Sequence, residues 1–95
     1  MTKDAFIEVN YLYEAVGTAI ELIHDIFGNT STDTELYIDH DDPQYKFLNI
    51  VIKPLNVESV DQESLLIKFD KLMDLFHSKV DNRYSSKITF HLNIP

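Results

Sequence analysis

The chain is 95 residues long, 44% hydrophobic and 25% charged, with five tyrosines, six phenylalanines and no cysteine; this supports one hydrophobic core and excludes a disulfide framework or a thiolate zinc site. Its net charge is −8 at pH 7 and is unevenly placed: residues 1–45 hold ten acids against a single base, Lys3, whereas residues 46–95 hold seven bases and six acids. Such a field repels nucleic acid and anionic lipid and speeds encounter with basic surfaces, so neither nucleic acid nor membrane is expected as a partner.

From about Asp4 to Phe27 the apolar residues Val9, Leu12, Val16, Ala19, Ile20, Ile23 and Phe27 follow one another three or four apart, which predicts a long amphipathic helix. Asn10, Glu14, Thr18, Glu21 and Asp25 form its narrow polar strip, and Phe6, Tyr13, Leu22 and Ile26 widen the apolar side. An apolar sector this wide implies contact on a second side, with the other helix or with another copy of the chain. Gly28-Asn29 supplies a stop, and Thr30 to Thr34 reads as a polar connector.

Leu36, Tyr37 and Ile38 make a short strand, ended by the turn chemistry of Asp39-His40-Asp41-Asp42-Pro43. A second strand runs from about Tyr45 to Leu55, with Leu48, Ile50 and Ile52 on one face and Phe47, Asn49 and Val51 on the other. Apolar residues on both faces mark it as the central strand.

Ser59 with Gln62 is a capping-box pattern, which starts a second helix with the core stripe Leu65, Leu66, Phe69, Leu72, Met73, Phe76 and Val80. Asp81-Asn82-Arg83 breaks it. The last strand alternates Ile88, Phe90, Leu92 and Ile94 inward with Lys87, Thr89, His91 and Asn93 outward, up to Pro95.

Residues 1–95 are therefore expected to form a single α+β domain of two layers in the order α-β-β-α-β: a three-stranded mixed sheet with two helices packed on one face. The first two strands form an antiparallel hairpin, and the helical crossover leaves the second and third parallel. The last strand fits beside either of the other two. The other sheet face presents Tyr37, Phe47, Val51, Thr89 and His91, too apolar to face only water, and a second copy of the chain is the expected contact.

The densest group of potential ligands is Asp39-His40-Asp41-Asp42, in which His40 and Asp42 have the spacing of a metal-binding pair. The chain lacks the glycine and distal glutamate of a calcium loop, and a charged hairpin turn accounts for the same residues. His24, His40, His77 and His91 lie in different elements, and no serine or threonine sits in a nucleophile elbow or triad order, so no catalytic residue is assigned. With only Gly17 and Gly28, no glycine-rich phosphate loop exists and no cofactor is expected. The bases Lys68, Lys71, Lys79, Arg83 and Lys87 are interleaved with Asp70, Asp74 and Asp81, as on a mixed solvated face. No basic leader runs into an apolar stretch and no charge-free segment is long enough to span a bilayer, so a cytoplasmic location is expected.

In charge and size the chain resembles small acidic proteins that neutralise a basic enzyme, such as antitoxins, nuclease immunity proteins and DNA-mimicking inhibitors; the likeness is of type and rests on no motif. The leading expectation is a non-catalytic protein-interaction protein. Glu14, Glu21, Asp25, Asp39 and Asp41 would meet a basic partner protein, and Tyr37, Phe47, Val51 and His91 would form a dimer interface. The alternative is a small enzyme or metal-dependent module centred on the Asp39 to Asp42 turn.

Overall fold

The computed structural model describes residues 1–28, 30–55 and 62–93. The Thr2 hydroxyl accepts from the Ala5 amide at 3.1 Å and caps α1 (Lys3–Val9). This helix stops in a Schellman arrangement: Tyr11 N–H donates to the Glu8 carbonyl at 3.3 Å and Leu12 N–H to the Ile7 carbonyl at 2.9 Å, with Tyr11 at φ 57°. The Asn10 side-chain amide donates to the Phe6 carbonyl at 2.9 Å, a local bond that competes with helix continuation. A second helix, α2 (Tyr13–Phe27), then begins. The single helix expected from about Asp4 to Phe27 is thus two. Helical spacing runs unbroken through Val9 and Leu12, and no glycine or proline marks the junction, so periodicity alone hides the break.

The break also divides the wide apolar sector. Phe6 and Ile7 of α1, Leu12 at the junction, and Ala15, Ala19, Leu22 and Ile23 of α2 all enter one core, while Val9, Tyr11 and Tyr13 remain exposed. The second-side contact of α2 is the other long helix, α3 (Gln62–Lys79).

Gly28, at φ 74°, ends α2 with its N–H on the His24 carbonyl at 3.0 Å. Strand β1 (Thr30–Ile38) follows and is nine residues long, so Thr30 to Thr34 is not a connector but its first half. Three threonines at every second position put β-branched side chains on the core side, with Ser31, Asp33 and Glu35 exposed. Their polarity obscures a strand pattern that their branching supports. Strand β2 (Lys46–Pro54) is central: it pairs antiparallel with β1 from Ile38↔Lys46 to Thr30↔Pro54, and parallel with β3 (Ile88–Leu92) from Leu48↔Ile88 to Ile52↔Leu92. The last strand therefore lies beside the second.

Leu65, Leu72 and Phe76 of α3 are buried, but Leu66, placed in the core stripe by spacing, is exposed. The capping position Ser59 lies outside the described residues, as do Asn29, Ile94 and Pro95. After α3, Asp81 Oδ1 accepts from Arg83 N–H at 3.0 Å and caps a one-turn helix, α4 (Asn82–Ser85). The observed order is α-α-β-β-α-α-β. Leu48, Ile50 and Ile52 share their core with α1, α2 and α3, so the long helices lie on one face of the sheet. Each fully buried large side chain, such as Phe76 or Leu72, contributes about 1.5–3 kcal/mol by leaving water. At the hairpin end, Lys87 Nζ donates to Asn10 Oδ1 at 3.0 Å and ties the α1–α2 junction to the start of β3. Among the described residues no helix is long and apolar enough to cross a membrane.

Candidate functional site

Strand alternation sends Ser31, Asp33, Glu35 and Tyr37 of β1, Phe47, Asn49, Val51 and Lys53 of β2, and Thr89 and His91 of β3 to the face opposite the core. At its hairpin end Tyr37 stacks on Phe47 with ring centroids 4.7 Å apart, and Tyr45 meets Phe47 edge-on at 5.7 Å. Tyr37 and Tyr45 stay about half exposed, at 47% and 57%. In the middle of this face Thr89 Oγ1 donates to Asn49 Oδ1 at 3.1 Å or to the Leu48 carbonyl at 3.3 Å. Beyond them Lys53 pairs with Asp33. Lys53 holds the Asp33 carboxyl below its ordinary range, first through the hydrogen bond and then through its charge, and Asp33 raises the Lys53 ammonium by the same two effects.

The expected interface residues Tyr37, Phe47, Val51 and His91 do share this face, but Val51 is already buried, between Asp33 and His91 in register. Tyr37, Tyr45, Phe47 and His91 are the accessible ones, and Tyr45 is an addition that the sequence placed only at a strand end.

The aromatic cluster runs directly into the acidic turn. Asp39 N–H donates to the Tyr45 carbonyl at 3.1 Å, and Tyr45 N–H to the Asp42 carbonyl at 2.9 Å. Asp39 Oδ1 accepts from the Asp41 and Asp42 amides at 2.8 and 3.3 Å, and Asp42 Oδ1 from the Gln44 amide at 3.2 Å. Two of the three aspartates therefore shape the loop. Among the described residues no three histidine, aspartate or glutamate side chains are placed to hold a metal, and the pair His40 and Asp42 gains no third ligand.

The five acids expected to meet a partner are divided between two places in the chain, helix α2 and the β1–β2 turn. Glu14, Glu21 and Asp25 are exposed along the solvent side of α2, spread over about 16 Å of helix from Glu14 to Asp25. Asp39 and Asp41 belong to the hairpin turn, contiguous with the open sheet face. Glu14 has a different setting: a cavity of about 320 Å³ between α2 and the α3–α4 junction, lined also by Tyr11, Thr18, Lys79, Asp81 and Tyr84. Sequence reading missed this cavity because it takes Tyr11 as helix interior and Asp81 to Arg83 as a simple break. No known family model matches the chain, and no curated protein or solved structure is significantly similar to it.

Proposed function

We propose that this is a non-catalytic interaction protein whose open sheet face receives a basic partner protein. The observation that carries the reading is the continuity of the Tyr37–Phe47–Tyr45 cluster with the acidic turn at Asp39, Asp41 and Asp42. Tyrosine and phenylalanine supply area that gains by leaving water, and the adjoining carboxylates supply orientation and association rate. A second copy of the chain is the rival occupant. Charge argues against it, because pairing two chains of net charge −8 brings like fields together, whereas a basic surface complements them. The metal-dependent alternative has no comparable support, since among the described residues no three histidine, aspartate or glutamate side chains come together at the turn.

The reading is tested with the immobilised protein in an extract of its native cells. Wild type is expected to retain one protein of basic isoelectric point, released as NaCl rises from about 0.1 to about 0.5 M, and Phe47→Ser is expected to retain none. Salt-independent retention, equal retention by Phe47→Ser, or sedimentation of the isolated chain as a tight dimer overturns it.

A further inference from the structure

The cavity on the helix side carries chemistry of its own. Tyr11 and Tyr84 line it, and the Glu14 carboxylate makes no ion pair among the described residues. Asp81 is also there, with Oδ1 committed to the Arg83 amide at 3.0 Å and near Arg83 Nε at 3.6 Å. Tyr84 already takes a guanidinium: Arg83 Cζ lies 5.0 Å from its ring centroid. With Asp81 already set against Arg83, the lining leaves Glu14 and two tyrosine rings beside one ammonium, Lys79, a combination that can hold an organic cation by charge and by ring quadrupole. At about 320 Å³ the space lies at the small end of the range for ligand pockets and has room for an arginine side chain.

We infer that this cavity is a binding site for one guanidinium side chain, an arginine presented by a peptide or protein, with Glu14 as its ion-pair partner and Tyr11 and Tyr84 as its walls. Arginine fits better than lysine, because its planar head can stack on a tyrosine ring while its edge donates to Glu14. The site does not depend on the sheet face, which lies on the other side of the molecule, so either can fail alone.

The test is a titration of the isotope-labelled full chain with N-acetyl-arginine methylamide, followed by NMR, with N-acetyl-citrulline methylamide as the neutral isostere. Saturable shifts at Tyr11, Thr18 and Tyr84, larger for arginine than for citrulline, are expected. Glu14→Gln should weaken binding about tenfold, the loss of one charge-assisted contact. Tyr11→Gly separates recognition from folding, since it keeps the left-handed cap and removes the ring: this variant should be at least as stable as wild type and still bind weakly. Shifts confined to the acidic turn, equal shifts from citrulline, no saturable shifts, or unchanged binding by both variants overturns the inference.

Discussion

Tyr37 and Phe47 face each other across the β1–β2 register with ring planes 24° from parallel, and they do so on the side of the sheet that the helices leave open. A double-mutant cycle on Tyr37→Ala and Phe47→Ala is expected to give a coupling of about 0.5–1.5 kcal/mol, read from urea unfolding. A coupling near zero would mean the stacking adds nothing beyond buried area.

The left-handed residues give two substitutions of opposite sign. Tyr11, at φ 57° and 78% exposed, occupies the Schellman position that glycine prefers, so Tyr11→Gly should raise stability by about 1 kcal/mol. Gly28, at φ 74°, has open space where a Cβ would stand, yet Gly28→Ala should cost about 1–3 kcal/mol from backbone conformation alone. Urea midpoints with unchanged slope measure both.

Core substitutions separate packing from polarity. Phe76 is fully buried and meets Phe90 edge-on at 5.0 Å, so Phe76→Ala should cost about 3–5 kcal/mol. Ser85 is 1% exposed and its hydroxyl has no hydrogen-bond partner among the described residues, so Ser85→Ala should be neutral or stabilising by up to about 1 kcal/mol. Loss of stability in Ser85→Ala would show that the hydroxyl has a partner.

Stability should respond to pH through Asp33 and Lys53. The Asp33 carboxyl is depressed below its ordinary 3.8, so its contribution is present above that value and is lost as pH falls through the lower folded value. The Lys53 ammonium is raised above its ordinary 10.5, so its contribution is present below that value and is lost as pH rises through the higher folded one. Asp33→Asn should flatten both limbs of the stability profile. Because the pair is about half exposed, 1 M NaCl should reproduce much of the effect in wild type.

Sequence patterns revealed the layers better than the joints. Alternation in Leu48, Ile50 and Ile52 located the central strand, and the spacing of Leu65, Leu72 and Phe76 located the long crossover helix, because burial imposes those periods. The break at Tyr11 was illegible, since its left-handed backbone is held by the Leu12 to Ile7 bond and by Asn10, neither of which carries a glycine signal. Threonine-rich β1 was half legible: its polarity masked its branching. The shared face of Tyr37 and Phe47 followed from period two, but the cavity beside Glu14 depends on how α2 meets the α3–α4 junction, a tertiary relationship with no local pattern.

Recognition by the sheet face is most directly measured by placing a photo-reactive p-benzoylphenylalanine at position 37 in the native cell, with position 71, exposed on α3 in the helix layer, as the control. One adduct with a basic protein, formed from position 37 but not from position 71 and lost when Asp41→Lys is added, is the expected result. No adduct from position 37, an adduct with a second copy of the chain, or the same adduct from both positions would contradict it.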